Sequence, residues 1–175
     1  GQDGSYLAEF LLNKGYEVWG TSRDISSGNF NNLSFLGIQD KVHLISMNTT
    51  DFISVFRVIN EISPDEVYNL SGQSSVGLSF DQPKETIESI VLGMLNILEA
   101  VRENKKMVRI YHAGSSECFG STKNKPANEN TPFDPLSPYA IAKTTASMLV
   151  KNYRSAYGMH VSNGILFNHE SVLRP

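Results

Sequence analysis

Val108-Arg109-Ile110-Tyr111-His112-Ala113-Gly114-Ser115-Ser116-Glu117 and, after a proline-rich interval, Ser137-Pro138-Tyr139-Ala140-Ile141-Ala142-Lys143 are the two segments from which the chain can be read. The first is an apolar run that ends in two hydroxyls and a carboxylate, the pattern of a buried strand opening into a polar strand end. The second heads a helical pattern that continues to about Tyr157. Tyr139 and Lys143 are four residues apart, so on a helix they share one face. An ammonium beside a phenol favours the phenolate and lowers a pKa that is about 10 when unperturbed, which makes a general base near neutral pH. A Tyr-x-x-x-Lys pair alone occurs on many solvated helix surfaces. Its weight here comes from the Ser115-Ser116-Glu117 strand end that precedes it.

Working outward, strands and helices alternate. Tyr6 to Leu12 follows a helical period and Gly15 stops it. Glu17 to Ser22 reads as a strand, Asp24 to Asn32 as a polar loop, and Lys41 to Met47 as the next strand. A helix over about 51–62 is expected with Thr50 as its cap, followed by a strand over 66–70. Ile87, Ile90, Val91, Met94, Leu95, Leu98 and Val101 form the apolar stripe of a helix from about Thr86 to Glu103. The strand of the opening quotation comes next, and then a loop over 121–138 with Pro126, Pro132, Pro135 and Pro138. A loop of that length is usually a lid or a binding loop. After the Tyr/Lys helix, Val161 to Phe167 is a last strand. Strands separated by helices predict a parallel sheet with right-handed crossovers, an α/β doubly wound fold that places ligands at the carboxyl ends of its strands.

The front of the chain adds a second clue. Gly1-Gln2-Asp3-Gly4 is compatible with an ordinary turn leading into a helix, and equally with the last two glycines of a dinucleotide loop, where backbone must approach a pyrophosphate at a helix N-terminus. On the second reading, the first glycine and the strand that carries it are missing, so the expected sheet lacks its first, central strand. Arg23, at the end of the next strand, is either a solvated loop residue or a partner for the 2′-phosphate of NADP, with Asp24 complicating the second reading. Ser71-Gly72-Gln73-Ser74 are small or polar residues that let a ligand lie close to backbone.

Composition limits the function classes. The 175 residues, 40% hydrophobic and 10% aromatic, are enough for one domain with a real core. The net charge of −3, without a basic block, argues against a nucleic-acid or anionic-membrane surface. No apolar run approaches the ~18 residues of a spanning helix, and no signal-peptide pattern is read. A single cysteine, Cys118, forms no internal disulfide and points to a reducing cytoplasm. It lacks a partnered histidine and is expected to be buried and inert. His43, His112, His160 and His169 show no metal-ligand spacing, so no metal is expected.

With these residues in hand, the whole chain resembles the extended short-chain dehydrogenase/reductase superfamily, and within it the GDP-mannose 4,6-dehydratase family. The resemblance lies in Gly1-Gln2-Asp3-Gly4-Ser5-Tyr6-Leu7, Pro64 to Leu70, Gln73-Ser74 with Val76 and Ser79-Phe80, Ser115-Ser116-Glu117, Ser137 to Lys143, and Phe167-Asn168-His169-Glu170-Ser171. It implies that residues 1–175 are an NADP-binding Rossmann-like domain truncated at both ends, without the C-terminal substrate domain. The implied catalytic residues are Ser115, Glu117, Tyr139 and Lys143. The implied cofactor contacts are Gly1, Gln2, Asp3, Arg23, Asn48, Thr49, Leu70, Ser71, Gly72, Gln73, Ser74, Lys143, His169 and Arg174.

The implied chemistry is oxidation at C4 of the GDP-mannose sugar with NADP as cofactor, loss of water across C5 and C6, and hydride return to C6. The implied partner is GDP-mannose, in a cytoplasmic homodimer or homotetramer on the way to GDP-fucose or related deoxysugars. These 175 residues alone are expected to turn over little. The rivals are another nucleotide-sugar epimerase or reductase of the superfamily, and a non-catalytic fragment. Glu117 argues against the first. Several positions depart from the family pattern: Asn48 stands for an Asp, Asp24 for a second Arg, Ser71-Gly72 for Ala-Ala, Glu85 for a Tyr, Ser115 for a Thr, and Val172-Leu173 for Pro-Arg.

Overall fold

Among the described residues, five short strands, all in parallel pairs, carry the architecture, and helices supply the crossovers. The computed structural model describes residues 1–104, 106–123 and 125–174. The chain forms two compact units, Gly1–Asn48 with His169–Pro175, and Thr49–Asn168.

In the first unit, helix α1 (Gln2–Asn13) leads to β1 (Trp19–Ser22), a short helix α2 (Asn31–Phe35), a 3-10 turn Gln39–Lys41 and β2 (His43–Ser46). β1 pairs with β2 in parallel, Trp19 opposite His43 and Ser22 opposite Ser46. Gly15 ends α1 as expected: it adopts φ +82°, and the Tyr16 N–H reaches back to Leu11 O at 3.1 Å. Ala8, Leu11, Val18, Leu33, Ile38 and Val42 are the buried core of this unit. The polar loop expected over 24–32 is shorter than anticipated, because α2 begins at Asn31 and buries Leu33.

In the second unit the strand order is β3 (Glu66–Asn69), β4 (Arg109–Ser115), β5 (Val161–Leu166), with β4 in the centre. Helix α3 (Phe52–Ile62) precedes β3. Its cap is Asp51, whose carboxylate accepts from Ile53 N at 3.0 Å, so the expectation of Thr50 is one residue off. After β3 comes α4 (Val76–Asp81), unforeseen in the sequence and capped by Ser75 accepting from Leu78 N. A composite helix then runs through α5 (Pro83–Ile87), a π turn (Glu88–Leu92) and α6 (Gly93–Glu103).

The π turn corrects the apolar stripe. It adds one residue to the ladder, so Ile90, Met94, Leu98 and Val101 are buried while Ile87 is 45% exposed. Packed against the composite helix as well as β4 and β5, α7 (Pro138–Tyr157) buries Ala140, Ala142, Ala146, Val150 and Tyr153. The three alanines let the helix pack closely against its neighbours. Gly114 and Gly164 serve the same end between strands, since a Cβ on Gly114 would lie 2.4 Å from Gly164 O.

Candidate active site

The second unit gathers the four expected catalytic residues at the carboxyl end of β4. Ser115 is the last residue of that strand, and Glu117 lies in the 3-10 turn Ser116–Phe119 that follows. Ser115 Oγ accepts the Glu117 N–H at 3.2 Å, so one hydroxyl ends the strand and starts the turn. Tyr139 and Lys143 come from the first turns of α7. That helix is started by Ser137, whose Oγ accepts from Ala140 N at 3.1 Å, with Pro138 at the first helical position. Ser115, Tyr139 and Lys143 are all buried, whereas Glu117 is exposed.

The electrostatics differ from the expectation in one respect. Tyr139 is held above the usual tyrosine value, not below it. Burial of the phenol is the largest cause; a hydrogen bond with Ser115 pulls the other way, and Cys118 and Glu117 add to the rise. Lys143 does not act on Tyr139 as expected. Its Nζ donates to Ala113 O at 2.9 Å and lies 5.8 Å from the centre of the Tyr139 ring. Burial brings the Lys143 ammonium down to about 8. The i, i+4 pair is therefore in place, but in this arrangement burial sets the direction of the phenol's shift. Cys118 is 1% exposed, the buried residue that was expected.

Glu117 opens onto a cavity of about 350 Å³ lined by Ser116, Phe119, Thr122, Lys125 and Phe167 among others. The proline-rich loop after the 3-10 turn forms part of its wall, as a binding loop would. Asp134 N donates to Cys118 O at 2.9 Å, and Phe133 packs edge-on against Phe119 at 5.4 Å. Sequence reasoning named none of Phe119, Thr122, Lys125 and Phe167 as a site residue, although Thr122 and Lys125 lie in the expected binding loop and Phe167 in a segment that carries the family resemblance.

The expected cofactor residues of this unit are Thr49, ahead of α3, Leu70 to Ser74, in the turn after β3, and Lys143 on α7. Gly72 adopts φ +112°, a conformation that favours glycine, and a Cβ there would lie 2.9 Å from Ile90 Cγ1. In the first unit, Gln2, Asp3, His169 and Arg174 form one cluster at the start of α1. His169 Nε2 lies 2.7 Å from Asp3 Oδ1, and the His169 carbonyl accepts from Gln2 Nε2 and Arg174 Nη1. Ser171 Oγ closes the cluster by donating to Gln2 Oε1 at 2.6 Å. Gly1 is the N-cap and brings no side chain to the helix start. Arg23 is exposed at the end of β1, and Asn48 closes the unit's first segment. Asp24 accepts from Ser26 N, Ser26 Oγ and Ser27 Oγ, which hold its carboxyl down to about 2.

Parallel strands with helical crossovers, and a tyrosine–lysine helix facing a serine at the end of a strand, make this a Rossmann-type protein of the short-chain dehydrogenase/reductase class. The comparisons narrow that class. The family model for GDP-mannose 4,6 dehydratase matches residues 1–175. A GDP-mannose 4,6-dehydratase of Vibrio cholerae is 46% identical over 181 residues, covering 99% of this chain and 49% of the relative. GDP-mannose 4,6 dehydratase 2 of Arabidopsis thaliana is 48% identical over 186 residues, again covering 99% and 49%. Among solved structures, the UDP-glucose 4-epimerase of Brucella ovis in complex with NAD superposes with a TM-score of 0.83 at 21% identity, over 94% of this chain and 48% of that one. The chain belongs to the GDP-mannose 4,6-dehydratase family, and it spans about half the length of the curated relatives it matches.

Proposed function

We propose that the full-length protein carrying this chain is an NADP-dependent GDP-mannose 4,6-dehydratase, and that residues 1–175 form its nucleotide-binding part. The observation that carries the proposal is the convergence of Ser115, Tyr139 and Glu117: the first two are hydrogen-bonded, and the charge of the third acts on the phenol. Each unit, taken by itself, carries a feature suited to part of a dinucleotide. An uncapped glycine start to α1 leaves helix N–H groups for a pyrophosphate, and Gly72 keeps the turn after β3 free of side chain. Arg23 is exposed directly after the end of β1, where a guanidinium suits a 2′-phosphate. Asp24 is engaged with Ser26 and Ser27 in its own loop, which weighs against its use as a ribose ligand and supports NADP over NAD.

NADP held by these residues would supply the hydride chemistry, as acceptor at C4 and donor at C6 of the sugar. The chain's own residues supply the proton chemistry. Ser115 orients the sugar O4 hydroxyl by hydrogen bonding, and Tyr139 accepts its proton in the phenolate form as C4 is oxidised; because burial holds the phenol up, that form needs the positive charges of Lys143 and of a bound nicotinamide beside it. The resulting ketone acidifies the C5 proton, which Glu117 removes and passes to the departing C6 hydroxyl, so that water leaves; the hydride that returns to C6 is then matched by a proton from solvent at C5. Lys143 holds the ribose and compensates charge near the phenol. A carboxylate two residues after the serine is what an elimination requires and a simple 4-epimerase does without.

In the same proposal the protein is cytoplasmic and assembles as a homodimer or homotetramer. No helix among the described residues is long and apolar enough to cross a membrane. Incubating the full-length protein and NADP with GDP-mannose, followed by mass spectrometry, tests the reading. A product lighter by one water and carrying a 4-ketone is expected. A sugar nucleotide of unchanged mass would refute the dehydratase assignment.

A further inference from the structure

The composite helix α5–π turn–α6 touches both nucleotide-contact segments of its unit through side chains that are themselves buried. Before the centre of the π turn, Ser89 Oγ accepts the Gln73 backbone N–H at 3.2 Å and donates to Thr86 O at 3.3 Å. Ile90 packs against Gly72, with its Cγ1 where a Cβ of residue 72 would be. After the turn, Asn96 Nδ2 donates to Thr49 O at 2.8 Å, and Gly93 lies so close to Thr49 that a Cβ would be 3.2 Å from its Oγ1. Ser89 is 8% exposed and Asn96 is 7% exposed.

In an unbroken α-helix each residue turns about 100°, so removing the extra residue of the π turn would rotate Ser89 and Ile90 relative to Gly93 and Asn96 by about that angle. One of the two segments would then lose its support. The opposite end of the turn after β3 is also held from within. Asn69 Oδ1 accepts from Ser71 N at 3.2 Å and from Ser71 Oγ at 2.6 Å, and Asn69 Nδ2 faces His112 Nδ1 at 3.1 Å. Burial and the charge of Lys143 bring His112 down to about 3, so its ring is neutral and Nδ1 accepts.

We infer that Ser89 and Asn96 are positioning residues for cofactor binding: through the register that the π turn creates, they set the turn Leu70–Ser74 and the backbone of Thr49 in the form that receives the nucleotide. Neither residue touches the nucleotide itself. This rests on the reading of those segments as cofactor contacts.

The test is a comparison of Ser89→Ala, Asn96→Ala and the control Ile97→Val in the full-length protein. Ile97 is on the same helix, is 2% exposed and has none of these hydrogen bonds. Dissociation constants for NADP by calorimetry, the cofactor KM, kcat and Tm are read for each. Losing one such hydrogen bond weakens NADP binding and raises its KM by roughly fivefold, with kcat little changed. Ile97→Val, which removes one buried methyl group and none of these hydrogen bonds, leaves both unchanged. Wild-type affinity in Ser89→Ala and Asn96→Ala, with only Tm lowered, would overturn the inference while leaving the cofactor reading intact. A wild type that binds neither NADP nor NAD would overturn the cofactor reading and the inference with it.

Discussion

Replacing Lys143 by Met separates what the lysine does for folding from what it does for chemistry. The side chain is 6% exposed, and its pKa falls from 10.5 to about 8 because burial disfavours the ammonium. At 1.36 kcal/mol for each pKa unit, that shift corresponds to about 3 kcal/mol of stability that depends on pH. The sign follows from proton binding. Between the folded value near 8 and the unfolded value of 10.5, the unfolded chain binds more protons, so stability rises with pH. Below the folded value both states are protonated and the burial penalty is constant and full.

Met keeps an unbranched apolar stem and does not titrate. The packing of the stem and the contact with Ala113 O do not vary with pH in a given protonation state, and the other titrating groups cancel in the difference between the two proteins. The unfolding free energy of the wild type minus that of Lys143→Met is therefore expected to rise by about 3 kcal/mol between pH 7 and 10.5, with the slope confined to the region above pH 8. Urea denaturation followed by far-UV circular dichroism, at half-unit steps of pH, measures this. A flat difference would refute the argument, because it would mean that the hydrogen bond to Ala113 O restores all that desolvation removes.

Three further outcomes follow from the packing of the same unit. Ser137→Ala removes the cap of α7 and is expected to cost about 1 kcal/mol in urea denaturation while lowering kcat at least tenfold, since Tyr139 lies in the first turn. Gly114→Ala pushes a Cβ against the Gly164 carbonyl on an adjacent strand and is expected to cost about 3 kcal/mol, read as a Tm lowered by roughly 10 °C. Tyr153→Phe removes the hydroxyl that donates to Glu99 Oε1 at 2.5 Å, with an expected loss of about 1–2 kcal/mol near neutral pH. Burial and Glu99 raise Tyr153 to about 12, so its contribution is full below pH 10 and lost as pH rises toward 12; the difference between wild type and Tyr153→Phe measured by denaturation should shrink over that range.

The strands, their parallel pairing and the Tyr139/Lys143 helix were legible because apolar periodicity and capping are local properties. The run from Val108 to Ser115 has no room for another assignment, and Ser137-Pro138 announces α7 before it begins. What was not legible depended on neighbours. Helix α4 was hidden because Ser75 reads equally well as part of a small-residue ligand turn and as a helix cap. The π turn is a matter of hydrogen-bond register settled by packing against Thr49 and Gly72, and the pattern from Ile87 to Val101 looks like an ordinary helix without it. The pKa of Tyr139 was misjudged for a similar reason: spacing reveals the ammonium four residues away, while burial and the turn of Lys143 toward Ala113 are set by the fold.

Glu117→Gln in the full-length protein, incubated with GDP-mannose and NADP in deuterated water, addresses the elimination itself. The account expects NADP to bind with wild-type affinity, no product lighter by one water, and no deuterium at C5, because the amide cannot take that proton. Water loss from the variant at a rate near that of the wild type would mean that another group deprotonates C5, and the role given to Glu117 would be wrong.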